Sequence, residues 1–453
     1  MPGTRDVEFP KSWFEEAFGV QEGRYREMRS DFEAAAGLLI CKPTGKMFQA
    51  GALRTPTLAE LRSQLNTARQ EGNGEYYNSG TLKFSNVTSD SLSLHQDPRN
   101  AGSVFQVCSL FNCLETVDGY HPEDGITHYC SQATQGSASA IACPAATFFR
   151  NYFVHTTGQG AGGRPVDLLE ELSNVVQNDK NGYWTVKHGH CLPRVDGSIA
   201  RLNQRLASDP ELEARAREAV QVGVHWETEV SQVAHQVCQV FCGALPVGYL
   251  KAVKANEWST FAKVVLQAAF EATLTVASCL AARRGTRIKV FLTALGAGSL
   301  SNRVTWIAGA LERALEGFCS EPLDVALVHF AGALPDFDRL EAGRRSTPRL
   351  RPVTPTPSLG LSQMRDLDEQ PEEDLVAVMR TAFACHDLNG DGVLDRSEFF
   401  SMLHKVDDSF FTPHVVDILL KEADADQDGK IYYHEFVRWI CQEDEEIVKR
   451  VLH

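Results

Sequence analysis

Between residues 104 and 153 the chain gathers side chains able to do acid–base work. Asn112 and Glu115 follow an apolar run at 104–107 that predicts a short buried strand. Asp118, Glu123 and Asp124 stand in the polar segment beyond it, and Thr134-Gln135-Gly136 opens a small-residue segment, 137–147, read as one helix. Carboxyl groups held near a bound molecule can donate or accept protons. Carboxyls and an amide just after a strand, with a glycine at a helix start, stand where α/β proteins bind ligands. An ordinary strand–loop–helix connection has the same residue order, and this stretch alone leaves both readings open.

A second candidate lies far along the chain. The apolar run 288–293 leads directly into Ala294-Leu295-Gly296-Ala297-Gly298-Ser299-Leu300-Ser301-Asn302, and a helix pattern (303–318) and another apolar strand (324–330) follow. This unit predicts a parallel crossover. Gly296 and Gly298 would let backbone N–H groups approach an anion, assisted by the helix dipole. The GQGAGG segment at 158–163 is a weaker phosphate loop, because no strand runs into it. His188, His190 and Cys191 could suggest zinc, but no second ligand pair has metal spacing.

Two twelve-residue windows, DLNGDGVLDRSE (387–398) and DADQDGKIYYHE (424–435), carry oxygen ligands at calcium spacing. In the first, Asp387, Asn389 and Asp391 offer side chains and Val393 a carbonyl, with Asp395 at position nine and Glu398 at twelve. In the second, Asp424, Asp426, Asp428, Lys430 and Glu435 take the matching places, and water can fill the position of Tyr432. The loop starts lie 37 residues apart, apolar residues flank both, and Leu394 and Ile431 would pair as a small sheet. This segment, 370–453, resembles an EF-hand pair, which implies two calcium sites.

The elements that must position these groups belong to a chain of 453 residues, long enough for two or three domains. It is 43% hydrophobic and 23% charged, as soluble globular proteins are, and its net charge of −15 argues against nucleic acid as a partner. Twelve cysteines without CxxC spacing read as free thiols. The N-terminal residues are charged and lack a signal peptide's apolar core, and the most apolar run, 264–282, contains Gln267, Glu271, Thr273 and Thr275. A buried helix is expected there, no membrane span, and a cytoplasmic protein. The pattern further predicts helices within 11–36, at 57–70 behind the capping box Thr57-x-x-Glu60, at 168–176, 210–219 and 258–283. It predicts strands at 38–41, 82–84, 92–94, 183–186 and 221–224, and at 237–242 either a strand or the end of a helix. A Pro-rich linker spans 341–369.

Ordered blocks across 45–330 (GKMFQAGALRTPTLAELR, DSLSLHQDPRNAGSVFQVCSLFNCLE, TQG with ATFFRNYF, VFCGALPVGY, FAKVVLQAAFEATL, FLTALGAGSLSNRVTWIAGALERAL) resemble a macrodomain-like family related to poly(ADP-ribose) glycohydrolases, in a MavL-like branch. The resemblance implies an α/β fold over 1–340, a mixed sheet between helices, joined to a small all-α EF-hand domain. It implies hydrolysis of the bond joining the distal ribose of ADP-ribose to a modified protein, ubiquitin being the MavL-like case, with no organic cofactor. Glu115, Glu123 and Asp124 would be the acidic catalytic stretch, with Glu123 as acid/base and Glu115 orienting ribose or water. Asn112 would hold the distal ribose, Gly296, Gly298 and Asn302 the diphosphate, and Asp90, Gln135 and Gly136 further parts of the substrate. No acid stands in 130–133, where the family carries one before Thr-Gln-Gly. Two other readings therefore stand beside the hydrolase: an ADP-ribose reader without turnover, and a calcium-sensor adaptor with an inactive macrodomain-like domain. Covalent linkage to the EF-hand pair suggests that calcium alters access to the large-domain cleft.

Overall fold

The computed structural model describes residues 13–71, 81–115, 120–131, 134–160, 162–248, 253–330, 334–345, 393–400 and 430–432. The chain divides into two compact units, 1–350 and 351–453, each described by itself.

The first unit opens with α1 (Trp13–Phe18) and α2 (Tyr25–Asp31) and a three-stranded antiparallel meander: β1 (Phe32–Ala35), β2 (Leu38–Cys41) and β3 (Lys46–Gln49). The helical reading of 11–36 therefore ends at Asp31. Residues 32–35 pair with 38–41 instead, which places Phe32 against Phe18 and Phe148 in the core. After β4 (Ala52–Arg54), Thr57 and Glu60 form the expected reciprocal cap of α3 (Leu58–Glu71): the Thr57 N–H donates to Glu60 at 2.8 Å, and Glu60 N–H to Thr57 Oγ1 at 3.1 Å.

β5 (Lys83–Thr88) leads to α4 (Ser91–Gln96), where alternation had suggested a strand at 92–94. Asp90 decides the matter: its carboxylate accepts from Ser93 N–H at 2.7 Å and starts a helix. β6 (Val104–Ser109) is buried along nearly its whole length. The single helix expected over 137–147 is two, α5 (Gln135–Ala142) and α6 (Pro144–Tyr152). Pro144 lacks the N–H that would continue α5, and it serves α6 in its first turn.

α7 (Glu170–Val176), α8 (Asn178–Asn181), the hairpin of β7 (Trp184–Lys187) and β8 (His190–Pro193), α9 (Ser198–Ser208) and α10 (Pro210–Ala219) follow. β9 (Gly223–Glu229) and β10 (Gln236–Gly243) pair antiparallel, so 237–242 is strand. The 30-residue α11 (Ala255–Arg284) ends at Gly285 in the left-handed conformation. β11 (Ile288–Thr293), α12 (Val304–Gly317) and β12 (Leu323–His329) form the expected right-through crossover, with β11 and β12 parallel. α13 (Pro335–Arg345) runs through the domain boundary drawn at 340; Glu341 accepts from both the backbone and the side chain of Asn86, which holds the helix against β5.

Seven strands form one mixed sheet in the order β4-β9-β10-β6-β11-β12-β5. The five from β10 to β5 are parallel, and β9 and β4 add an antiparallel edge. α11 is long and apolar enough to cross a membrane by composition, yet 89% of that window lies inside the protein, packed on α3, α9, α12 and the sheet. The expected mixed sheet between helices is present, and its parallel centre places the C-terminal ends of β6 and β11 side by side.

His95 shows how tightly the opposite face is closed. The ring is fully buried, stacked on Phe105 at 3.7 Å; Nδ1 lies 2.7 Å from Ser91 O, and Gln239 Nε2 is 3.1 Å from Nε2. Burial lowers its pKa from 6.5 to about 4. Between these values the unfolded chain binds a proton that the folded chain refuses. The stability contribution is therefore complete above 6.5 and is lost as pH falls toward 4, by up to about 3 kcal/mol. Denaturant titrations across this window should show a steep acid loss in the parent and a shallower one in His95→Gln; equal slopes would contradict the assignment.

Candidate functional site

The loop after β6 is built by its own backbone. Cys113 N–H donates to Leu110 O at 3.0 Å with Cys113 in the left-handed region, and Leu110 N–H donates to Leu114 O at 3.1 Å. Asn112 is buried, and its Oδ1 accepts from Leu114 N–H at 3.2 Å, a local Asx turn. Phe111 N–H donates to Gly189 O at 3.0 Å. A Cβ on Gly189 would meet Asn112 Oδ1 at 2.6 Å, so the β7–β8 turn forms a wall directly against the amide.

This folding delivers Glu115 to the start of α5. A Cβ on Gly136 would lie 2.2 Å from Glu115 Oε2 and 2.6 Å from Cys108 O, so only glycine lets the carboxyl sit there. Glu115 N–H donates to Tyr129 Oη at 3.2 Å, and Glu115 Oε1 is closed off from solvent. Burial pushes the Glu115 carboxyl well above the ordinary carboxylate range, and the Arg150 guanidinium pulls the other way without overcoming it. Burial thus favours the protonated, proton-donating form of this acid.

Glu123 and Asp124 sit differently. Both are exposed, on the 3-10 turn Pro122–Asp124. The Asp124 carboxylate accepts from His121 N–H at 2.7 Å and closes that turn, while the charge of Glu123 acts on Tyr25 and His188. Asp90 is engaged in capping α4, and Gln135 Oε1 accepts from Ser91 N–H at 2.7 Å, tying α5 to α4. Asp118 lies outside the described residues.

The loop after β11 meets the end of β6. Gly296 has φ +79, and a Cβ there would meet Asn302 Nδ2 at 2.7 Å and Ala244 at 2.8 Å; its N–H points to the Cys108 thiol. Asn302 is buried and braces the loop: its backbone N–H donates to Gly296 O at 2.9 Å and its Nδ2 to Leu245 O at 2.8 Å. Gly298 has open space where a side chain would be. Gly296 and Asn302 thus shape the loop, and among its described backbone bonds the amides of Gly298, Ser299 and Leu300 donate to no other part of it. Those amides are what it can offer an anion. A small cavity of about 20 Å³, lined by Ser91, Phe105, Gln106, Gln135, Phe291 and Thr293, lies along the parallel strands.

Several supporting residues carry no local sequence signal. Arg150 on α6 is 1% exposed; it donates to Cys113 O at 3.1 Å and Thr147 Oγ1 at 2.9 Å, lies 3.3 Å from His225 Nδ1, and packs over Phe241 at 3.9 Å. Burial holds His225 well below the usual histidine range, so it is neutral and can accept from the guanidinium. Gln159 donates to Asn112 O at 2.9 Å and Arg150 O at 3.1 Å. The 158–163 loop therefore packs beneath the site, around Tyr25, whose hydroxyl accepts from Gly160 N–H at 2.9 Å. Glu22 accepts from Ile126 and Thr127 N–H and from Tyr152 Oη at 2.7–2.8 Å, which fixes the segment following Asp124.

In the second unit, Val393–Leu394 (β13) and Ile431–Tyr432 (β14) pair antiparallel with Leu394 opposite Ile431, as expected. Asp395 Oδ1 accepts from Ser397 and Glu398 N–H at 2.8 and 2.9 Å, and Asp395 N–H donates to Glu398 Oε2 at 3.0 Å. Glu398 is thus buried and turned back toward its loop, as a position-twelve calcium ligand must be. Val393 and Lys430 stand at the start of the paired segments; Asp387, Asn389, Asp391, Asp424, Asp426, Asp428 and Glu435 lie outside the described residues.

The EF-hand domain pair family matches residues 376–441, a calcium-binding module. Calaxin of Danio rerio is 34% identical over 74 residues, 15% of this chain and 35% of calaxin; calcium-dependent protein kinase 9 of Oryza sativa subsp. japonica is 45% identical over 60 residues, 13% of this chain and 10% of the kinase. This chain thus spans about a third or less of these relatives. Among solved structures, poly(ADP-ribose) glycohydrolase of Deinococcus radiodurans in complex with ADP-ribose covers 72% of this chain and 97% of its own, at 11% identity and TM-score 0.34. Poly(ADP-ribose) glycohydrolase of Thermomonospora curvata, bound to the inhibitor ADP-HPD, covers 71% and 98%, at 12% identity and TM-score 0.32.

The seat of Glu115 yields two expected outcomes. Gly136→Ala must displace the carboxyl or the Cys108 backbone, and thermal denaturation should show a loss of about 1–3 kcal/mol; an unchanged midpoint would contradict the contact. Because the folded-state pKa of Glu115 is raised, its stability contribution is full below 4.5 and is lost as pH rises through the folded value. Glu115→Gln should therefore flatten the decline of stability on the alkaline side of 4.5, measured by denaturant unfolding against the parent.

Proposed function

We propose that the large unit is an ADP-ribosyl hydrolase acting on ADP-ribosylated protein, with the C-terminal pair binding calcium at two sites. The observation that carries this reading is Glu115: a carboxyl beyond the end of a central parallel strand, seated against Gly136, with burial favouring its protonated form, near a buried amide and an anion-competent loop. Glu115 takes the acid role expected of Glu123, because the Glu115 carboxyl is desolvated and Glu123 is exposed. Its proton passes to the leaving group as the bond to the anomeric carbon of the distal ribose breaks; water then adds to the oxocarbenium-like centre and gives a proton back to the Glu115 carboxylate. Asn112 orients the ribose, and the amides from Gly298 to Leu300 hold the diphosphate.

A second reading, an ADP-ribose reader without turnover, is favoured by the exposure of Glu123 and Asp124 and by the lack of an acid in 130–133. Incubating the full chain with ADP-ribosylated protein, beside calorimetry with free ADP-ribose, separates the two. The hydrolase releases ADP-ribose, and Glu115→Gln slows release by about 10²–10⁴-fold while ADP-ribose still binds. Binding without release in the parent establishes the reader, and absence of binding rejects both. For the calcium module, titration should give two bound ions, falling to one in Glu398→Gln and in Glu435→Gln; an unchanged stoichiometry would overturn the ligand assignment.

A further inference from the structure

The end of the sheet opposite Glu115 is lined with cations. Residues 283–289, RRGTRIK, hold four of them and no acid. Lys83 on β5, Asp324 on β12 and Lys289 on β11 stand side by side, in register, near the starts of their strands. Lys289 Nζ donates to Arg99 O at 2.8 Å and to Asn100 Oδ1 at 3.1 Å, and Arg284 Nη1 donates to Gly102 O at 2.8 Å, just before β6. Arg287 Nη2 donates to Leu323 O at 2.9 Å and to Asp324 at 2.8 Å. The row therefore runs across the first residues of β5, β12, β11 and β6. Lys83, Arg99, Arg283, Arg284 and Lys289 are exposed, and Arg287 is half-buried.

Hydrogen bonds to carbonyl oxygens fix these groups without cancelling their charge. The acids within the row are Asp97, bonded to Arg99, and Asp324, bonded to Arg287, so six cations stand with two carboxylates. Glu227 borders the row, since it and Arg284 both act on the buried Cys238 thiol. The Asp97 carboxyl is held at about 2, chiefly by the Arg99 guanidinium, with Lys289 adding to the pull. A surplus of this sign, in a chain whose net charge is −15, attracts an anion. Neighbouring strands lie about 4.8 Å apart, so the row is about 14 Å long, the reach of about five extended residues. Among the described residues of the large unit, the exposed tyrosine and phenylalanine, Tyr120 and Phe330, lie at the other end of the sheet, which leaves a single nucleic-acid strand no stacking platform beside the row. A flat lipid surface would also meet Glu71 and Glu316, exposed at the ends of α3 and α12. Carboxylates on a narrow chain meet neither obstacle, and guanidinium groups bind them through paired hydrogen bonds.

We propose that this row, Lys83, Arg99, Arg283, Arg284, Arg287 and Lys289, docks an extended acidic peptide of a partner protein. About five residues of the peptide would lie across the strand starts, with their carboxylates turned toward the cations. The surface is a strand's length from Glu115, and the assignment is independent of the hydrolase reading.

The test measures the fluorescence anisotropy of labelled hexaglutamate with the full chain in calcium-free buffer, beside hexaglutamine and single-stranded hexathymidylate. Hexaglutamate should bind at one saturable site, and hexaglutamine should not. Raising salt from about 20 mM to about 200 mM should weaken binding by about tenfold or more. Arg284→Glu with Lys289→Glu should weaken it by more than about tenfold. Lys83→Glu with Arg283→Glu, which breaks none of the anchoring bonds, should do the same and guards against a folding defect in the first pair. Lys187→Glu with Arg194→Glu, two exposed cations at the β7–β8 hairpin, should leave the affinity within about twofold. Far-ultraviolet dichroism and melting midpoints establish that the variants are folded. The proposal is overturned if hexaglutamate binds no better than hexaglutamine, if both charge reversals in the row leave its affinity intact, or if hexathymidylate binds more tightly through the same residues.

Discussion

A guanidinium enclosed beneath an acid is the constraint around which the large unit is arranged. Burying a permanent charge is costly unless its donors and its face are all occupied. Arg150 meets that demand with the Cys113 carbonyl, the Thr147 hydroxyl, the neutral ring of His225 and the face of Phe241. These partners come from the loop after β6, from α6, from β9 and from β10, so one side chain locks four elements into register. Burial governs the groups around it: desolvation holds His225 neutral and pushes the Cys113 and Cys143 thiols up to about 12, with the guanidinium reinforcing the first shift and opposing the other two. Glu115 lies in the same field, where desolvation favours its protonated form and Arg150 opposes it. The balance between those two effects, more than the identity of the acid, decides what the site can do.

What could be read from the sequence depended on how local the controlling contact was. The cap at Thr57 and Glu60 and the β11–loop–α12–β12 unit are specified within a few residues, and each appears as expected. The failures were also local, but between competing rules. Residues 92–94 alternate like a strand, yet Asp90 supplies a helix cap that the alternation does not reveal. The small residues at 137–147 favour one helix, and Pro144 divides them. At 32–35 the helical composition yields to pairing with β2, which buries Phe32.

The two candidate sites differ in the same way. An EF-hand loop holds its whole donor set within twelve residues, so spacing alone identifies it. The large-domain site draws on Glu22, Tyr129, Arg150, Gln159 and Gly189, whose contacts around the loop after β6 join segments far apart in the chain and leave no periodicity behind. Asn112 and Glu115 could be singled out because they follow a strand. Their environments, one fixed in an Asx turn and the other enclosed against Gly136, arise only once the sheet has formed.

α11 has a consequence for the birth of the protein. Its apolar window meets the length and composition of a bilayer-crossing segment, and only the finished fold conceals it. Of the elements that cover it, α3, α9, β6 and β10 precede it in the chain, whereas β11, α12 and β12 follow. During synthesis the helix therefore emerges onto a half-built surface, with one side sheltered and the other waiting until β12 ends at His329, at a synthesis rate of about 5–20 residues per second. For those seconds the growing chain exposes an apolar helix face that the finished fold buries, and β11 and α12 are the elements that close over it.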